Sequence, residues 1–188
     1  MNLLDFFQQK ISLSTEHVKI IDEMFNHEEY PKGTIFLKPD NSSKRLIFLE
    51  KGLYRTFYYN EDKDITHFFW EENTFNAPIE SVMFDQIAPY GWQAIETCVV
   101  RSVDYKEFQN LVSNNNELLN LMLSITTEMT TYFTKRGLTL NFKTAEEKYQ
   151  HFVADYPNII NKVPLGYLAS YIGVTPQTLS VLRSKTLK

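Results

Sequence analysis

The spacing of apolar residues changes along this chain, and each change predicts a different element. Val18, Ile21 and Phe25 recur at the spacing of one helix face, and Ser14 stands where an N-cap is expected. After this helix the period becomes two in short runs rich in β-branched and aromatic residues, at 34–37, 45–50, 53–59 and 65–70. Turn signals rich in Pro, Gly, Asn and Asp separate these runs. Such close, even spacing predicts an antiparallel barrel or jelly roll.

The strand pattern is interrupted between residues 71 and 90 and resumes at 92–105. Long irregular segments are uncommon in compact domains and often bind something, so an effector pocket is expected here. Its candidate residues are Glu80, Ser81, Tyr90, Trp92 and Gln93. The same side chains could instead fill the interior of the roll, and the sequence leaves both interpretations open.

A long helix is predicted over residues 117–141, because apolar positions there alternate steps of four and three. The row consists of Leu118, Met122, Ile125, Met129, Tyr132 and Arg136, with several threonines beside it. A heptad row flanked by polar residues favours pairing with a second copy of the helix, which makes these residues the predicted dimer interface. The alternative is that the row packs onto the chain's own barrel.

The C-terminal part has the pattern of a helix-turn-helix. Thr144-Ala-Glu-Glu147 is a capping box that opens a helix, and Pro157 stops it. A helix carrying Leu165, Leu168 and Ala169 on one face then leads to Gly173, where the chain must turn sharply.

Thr175 and Pro176 supply an N-cap and a first helical position for the next helix. Leu179 and Leu182 direct this second helix back onto the first, so that Gln177, Ser180 and Val181 face outward. The alternative is an ordinary helical hairpin that closes a core.

Charge supports a nucleic-acid-binding terminus. Residues 161–188 carry four basic and no acidic residues, whereas the rest of the chain has 15 basic and 23 acidic residues. The net charge of the whole chain is −4. Binding to phosphates is local, so the sign of the terminal segment matters more than the total. A solvated terminal helix with a few lysines is the competing interpretation.

Composition sets the class of protein. With 188 residues, 43% of them hydrophobic and 14% aromatic, the chain can build one core with a small appended module. It has no apolar run long enough to span a membrane and no secretion leader, so a cytoplasmic protein without membrane partners is expected. The single cysteine, Cys98, excludes an internal disulfide, a thiolate zinc site and an iron–sulfur cluster.

Catalysis is not expected. The four histidines, His17, His27, His67 and His151, are scattered rather than spaced as metal ligands, and no nucleophile motif is present. We therefore predict no catalytic residues, no metal site and no enzymatic activity.

The order of a β-roll, a long pairing helix, a capped helix and a terminal helix-turn-helix resembles the Crp/Fnr family of bacterial transcription regulators. The resemblance is carried most specifically by Thr144-Ala-Glu-Glu-Lys-Tyr149 and by Pro164-Leu-Gly-Tyr-Leu-Ala-Ser-Tyr-Ile-Gly-Val-Thr-Pro-Gln-Thr-Leu-Ser180. These segments are similar to those of a compact branch of the family that is common in Bacteroidetes-type bacteria. The resemblance implies an α+β fold with a double-stranded β-helix (jelly roll) sensor domain at 1–116, a dimerisation helix at 117–142 and a short, wingless helix-turn-helix domain at 143–188.

One departure from the family concerns the ligand. Members that bind cyclic AMP hold its ribose with a Gly-Glu pair and its phosphate with an Arg-Ser/Thr pair, and the matching segments 75–83 and 88–92 contain neither pair. Between residues 56 and 100, Lys63 is the only full cation among eight carboxylates. Cyclic AMP and cyclic GMP are therefore disfavoured, no cofactor is expected, and the effector is unknown.

The other departure concerns DNA. Val181 stands where the family often has a base-reading arginine, which leaves direct readout to Thr175, Gln177 and Ser180 at the start of the helix beside Pro176. Arg183 and Lys185 are expected to contact phosphates. The expected partners are double-stranded DNA, a second copy of the chain, a small-molecule effector and RNA polymerase. The alternative function is an adaptor or sensor that acts through protein partners without binding DNA.

Overall fold

The computed structural model describes residues 1–142 and 144–186, and it confirms the expected α+β architecture of a jelly roll followed by helices and a helix-turn-helix. The strands are β1 (Asn26–Tyr30), β2 (Ile35–Leu37), β3 (Arg45–Lys51), β4 (Tyr54–Asn60), β5 (Lys63–Trp70), β6 (Thr74–Asn76), β7 (Gly91–Ala94) and β8 (Cys98–Asp104). The helices are α1 (Leu3–Lys10), α2 (Thr15–Met24), α3 (Ile79–Phe84), α4 (Tyr105–Ser113), α5 (Asn116–Phe142), α6 (Ala145–Asp155), α7 (Leu165–Ile172) and α8 (Pro176–Thr186).

The roll consists of two antiparallel sheets, with strand orders β1-β8-β3-β6 and β2-β7-β4-β5. Alternation along β4 shows how the two faces of a strand differ. Tyr54 belongs to the cluster between the sheets, and Thr56 accepts a hydrogen bond there from the indole of Trp70 at 2.7 Å. Arg55 and Phe57 face the other side of the sheet, where helix α7 covers them.

Several elements differ from the sequence prediction. The interruption at residues 71–90 is not a long loop, since it contains β6 and α3. Helices α1 and α4 and strand β1 were not predicted. Strand β1 has the polar sequence Asn-His-Glu-Glu-Tyr, which lacks an apolar alternation, and it is held by pairing with β8 and by the ion pair of Glu28 with Arg45 at 2.8 Å. Helix α1 buries Leu3 and Phe7 against the sheet.

The predicted dimer row of α5 packs onto the chain's own core. Leu118 is fully buried, and Met122 and Ile125 pack on the same cluster as α1, α2 and α4. Met129 and Tyr132 pack on the cluster inside the roll, and Arg136 contacts α7. Of the six residues predicted as the dimer interface, Leu118 and Arg136 are therefore buried within the chain, whereas the other four are partly buried. The sequence alternative, packing on the own barrel, describes the row.

The helix-turn-helix is docked on the roll through strand β5, an edge strand of its sheet. The register of β4 and β5 shifts between Thr56 and Phe57, and the nearby backbone N–H of Thr66 donates to Ser170 Oγ of α7 at 3.0 Å. Phe69 of β5 packs its ring 5.1 Å from that of Tyr171. Helix α7 thus satisfies an edge amide that would otherwise need water.

Candidate functional site

The turn between α7 and α8 is built by local hydrogen bonds. Gly173 has a φ of 80°, and its N–H donates to the carbonyls of Ala169 and Ser170. This left-handed C-cap is typical of glycine, because a Cβ would be strained there. Thr175 then accepts a hydrogen bond from the N–H of Thr178 at 3.1 Å. The predicted turn and N-cap are therefore both confirmed.

Helix α8 has one buried and one exposed face. Leu179 is fully buried among the side chains of α6 and α7, with Leu182 beside it. The predicted readout residues all lie on the exposed side, and they are Thr175, Pro176, Gln177, Ser180 and Val181. Helix α8 is therefore anchored on one side and leaves the predicted readout residues uncovered on the other.

The basic residues of the terminus are less available than the sequence suggested. Arg183 donates from Nη2 to the carbonyl of Ile160 at 2.8 Å, which ties α8 to the segment before α7. Lys162 forms an ion pair with Glu96 of the roll at 3.0 Å. The side chain of Lys185 lies outside the part of the chain that the structure describes.

The five predicted pocket residues do not form one pocket. Glu80 accepts a hydrogen bond from the hydroxyl of Tyr90 at 2.7 Å, and both side chains line a cavity. Ser81 and Trp92 are buried, and their side-chain polar atoms have no hydrogen-bond partner. Gln93 lies on the opposite face of its sheet, where it accepts from Arg55 at 2.7 Å. The prediction that Gln93 belongs with Glu80 and Tyr90 is therefore corrected, because successive strand residues point to opposite faces.

The cavity lies between the roll and α5 and has a volume of about 430 Å³. Its walls are mainly apolar, contributed by Phe68, Trp70, Met129, Phe133 and Leu140. Burial lowers the pKa of His67, which lines the same cavity, and the nearby charge of Arg136 lowers it further. The imidazole is therefore kept neutral at pH 7.

Two cations near this region were missed by the sequence reasoning. Arg136 of α5 lines the cavity, although its spacing had assigned it to the dimer row. Lys44 reaches α3, where its ammonium contacts the carbonyl of Ser81 at 2.6 Å and the carboxylate of Asp85 at 2.5 Å. Both residues lie outside residues 56–100, the span in which the sequence shows Lys63 as the only full cation.

A second buried arginine holds α7 on the outside of the roll. The guanidinium of Arg55 lies 3.5 Å from the centre of the Tyr167 ring. It also pairs with both carboxylate oxygens of Asp64, at 2.5 and 2.6 Å. Stacking and bidentate pairing together fix the position of α7 relative to the sheet.

The described residues show neither a metal site nor a membrane span. Within residues 1–142 and 144–186, no three His, Cys, Asp or Glu side chains are grouped so that they could hold a metal ion. Over the same residues, no helix combines the length and the apolar character needed to cross a membrane. Cys98 is buried in the roll, and burial raises the pKa of its thiol to about 11.

Comparison with known proteins gives matches at the level of structure. No protein-family model and no curated protein sequence matches the chain. FixK2 from Bradyrhizobium japonicum is 15% identical, covers 86% of this chain and 83% of its own, and has a TM-score of 0.74. A variant of CooA from Carboxydothermus hydrogenoformans is 19% identical, with 98% of this chain and 84% of CooA covered and a TM-score of 0.75.

A third similar structure is the c-di-GMP responsive global regulator CLP of Xanthomonas campestris. It is 12% identical, with 93% of this chain and 92% of CLP covered and a TM-score of 0.74. In all three comparisons the aligned region includes both the roll and the helical part, since it covers most of each chain. The chain thus has the fold of the Crp/Fnr transcription regulators.

Proposed function

We propose that this protein is a homodimeric transcription regulator that binds double-stranded DNA through α8. The observation that carries the proposal is the exposed face of α8, held in place by the buried Leu179 and by the Gly173 turn. The fold shared with FixK2, CooA and CLP supports a regulator rather than an enzyme. Such a protein would act in the cytoplasm, and RNA polymerase would be a further partner.

Base readout is proposed for the residues at the start and middle of α8. The amide of Gln177 has the donor and acceptor needed for a bidentate pair with adenine, and the exposed Val181 can contact a thymine methyl. Thr175, Pro176 and Ser180 complete this face. Arg183 keeps donors beyond the one that binds Ile160, so it and Lys185 are proposed to contact phosphates.

The dimer is proposed to use the exposed row of α5, one residue on from the row predicted by the sequence. The row alternates steps of four and three, as a pairing helix requires, and consists of Leu119, Leu123, Thr126, Thr130 and Phe133. Leu119, Leu123 and Phe133 are large apolar side chains exposed in the single chain. A second copy of α5 would bury them.

The threonines of this row are compatible with an apolar contact. The hydroxyl of Thr126 donates to the carbonyl of Met122 at 2.8 Å, and that of Thr130 donates to Thr126 at 2.9 Å. Because these hydroxyl groups are satisfied within their own helix, burying them leaves no donor unpaired. An apolar groove of about 320 Å³ beside Leu119 and Leu123 offers further surface to the partner.

We expect Gln177→Ala to change the sequence preference of DNA binding. The loss of a bidentate base contact should cost about 1–3 kcal/mol on a duplex selected with the wild-type protein and leave binding to random duplex unchanged. Fluorescence anisotropy on both duplexes measures this, with Gln9→Ala on the exposed face of α1 as the matched control. Equal losses on both duplexes would instead assign Gln177 to the DNA backbone. If the wild-type protein does not bind any duplex at about 50 mM salt, the adaptor function is favoured.

We propose the cavity beside α5 as the effector site, and we expect neither cyclic AMP nor cyclic GMP to bind there. The segment 75–92 contains no lysine or arginine, and Lys44, which reaches α3, is already paired with Asp85. Arg136, the cation of this cavity, lies on α5, so a cyclic phosphate would lack the loop cation that holds it in cyclic-AMP-binding members, and its ribose would lack the Gly-Glu pair. Calorimetric titration of the protein with either nucleotide should show no heat of binding. A saturable micromolar affinity, about 8 kcal/mol, would contradict this expectation.

A further inference from the structure

Two arginines are buried within residues 1–142 and 144–186, and among these residues only one of the two has a carboxylate partner. Arg55 is 1% exposed, and its guanidinium is saturated by hydrogen bonds. It donates to both oxygens of Asp64, to Gln93 from two nitrogens and to the hydroxyl of Thr66 at 3.0 Å. This is the pattern expected of a buried charge that is compensated within the protein.

Arg136 is 8% exposed, so it is similarly buried, but its surroundings differ. Its Nη2 donates to the carbonyl of Tyr171, and its guanidinium carbon lies 3.4 Å from the centre of the Tyr171 ring. Its Nε has no hydrogen-bond partner, and no carboxylate of the described residues lies within the 4 Å of an ion pair. A buried guanidinium without an anion is costly, and burial accordingly lowers the pKa of Arg136.

The unpaired charge lines the cavity between the roll and α5. Within the described part of the chain, Arg136 is the only arginine or lysine among the cavity residues. The cavity also contains one carboxylate, Glu80, which is held by the hydroxyl of Tyr90. The remaining walls are largely aromatic and aliphatic, with Phe68, Trp70 and Phe133 as the large rings.

We propose that this cavity binds a small organic anion that carries one acidic group on an apolar body, and that the acidic group pairs with Arg136. The proposal rests on the proposed effector site and names the ligand class for it. The acid would supply the counterion that Arg136 lacks. A second acidic group would meet Glu80, and the aromatic walls favour an apolar body over a sugar.

In cyclic-AMP-binding members a loop holds the phosphate, whereas here the residue proposed to hold the acidic group, Arg136, belongs to α5. Arg136 also contacts the last turn of α7, so the ligand would bind the same side chain that holds the helix-turn-helix. A ligand that fixes the position of this guanidinium would therefore bind where the roll, α5 and α7 meet.

The test uses 8-anilinonaphthalene-1-sulfonate as the probe, because it combines one acidic group with an aromatic body. Its neutral counterpart is N-phenyl-1-naphthylamine, which has the same rings without the sulfonate. Titration of the full chain, followed by fluorescence, should show saturable binding of the anion. In Arg136→Gln, which removes the charge and keeps a polar amide, the affinity for the anion should fall about tenfold or more, while that for the neutral probe stays within about twofold.

Two further variants keep the result interpretable. Arg136→Met tests the same loss if the glutamine variant does not fold, which circular dichroism will show. Arg45→Met removes a partly exposed arginine from the other side of the roll and should leave binding of both probes unchanged. Equal affinities of the anion for wild type and both Arg136 variants, or no saturable binding to the wild type, would overturn the proposal. DNA binding does not enter this measurement, so failure of the proposed function would be seen separately.

Discussion

Leu123→Glu is expected to convert the proposed dimer into monomers. Leu123 is 64% exposed in the single chain and lies in the N-terminal half of the exposed row of α5. In a parallel, two-fold symmetric helix pair, each new carboxylate would face its copy in an apolar contact, so that two like charges would be buried together. Size-exclusion chromatography with light scattering measures the result.

Ser124→Glu is the matched control for this change. Ser124 is the next residue of the same helix, it is exposed, and it lies outside the heptad row. The same charge placed there should leave the dimer intact. A dimer of unchanged stability in Leu123→Glu would show that the row of Leu119, Leu123 and Phe133 is not the interface.

The loss of the dimer should also weaken DNA binding. Two linked recognition helices bind two half-sites with a gain of about 10²–10⁴ over one, and a monomer forfeits this gain. We therefore expect Leu123→Glu to reduce affinity for a two-half-site duplex by that factor and to leave affinity for a single half-site unchanged. A monomer that still binds the full site with wild-type affinity would exclude dimeric recognition.

Leu179→Ala is expected to detach α8 from α6 and α7. Leu179 is fully buried among the side chains of α6 and α7, and truncating such a leucine costs about 2–5 kcal/mol. Because the lost contacts join α8 to α6 and α7, the loss of stability should be concentrated in the helix-turn-helix. Hydrogen exchange of the α7 and α8 amides, together with denaturant unfolding, measures it.

Val181→Ala provides the control for this loss of stability, since Val181 is 55% exposed on the same helix. Its effect on the free energy of unfolding should remain within about 0.5 kcal/mol. If Leu179→Ala leaves both the exchange rates and the free energy of unfolding unchanged, then α8 is held by contacts other than Leu179.

The parts of the fold that the sequence predicted well depend on interactions between near neighbours. The capping box of Thr144 and Glu147 is present, with Thr144 N–H donating to the Glu147 carboxylate at 2.7 Å. The Gly173 turn and the Thr175 cap are likewise formed by groups no more than five residues apart. Such signals are visible in a sequence because both partners lie in the same short segment.

The face of α5 that packs on the roll could not be predicted from its period. The helix carries two rows of heptad spacing that differ by one residue, one starting at Leu118 and the other at Leu119. Both rows contain large apolar side chains, so periodicity alone does not distinguish the row covered by the chain from the one left exposed. Only the position of the roll against the helix decides it.

The sequence by itself determined the order of elements, the caps, the turn and the outward face of α8, because these depend on spacing and local hydrogen bonds. The tertiary structure alone decided the roles of Arg55, Arg136 and Gln93, whose partners lie far away along the chain. Thr66 and Ser170, for example, are 104 residues apart when they join the roll to α7. Long-range pairing of this kind depends on how the sheets and helices pack, since residues distant in sequence meet only after the chain has folded.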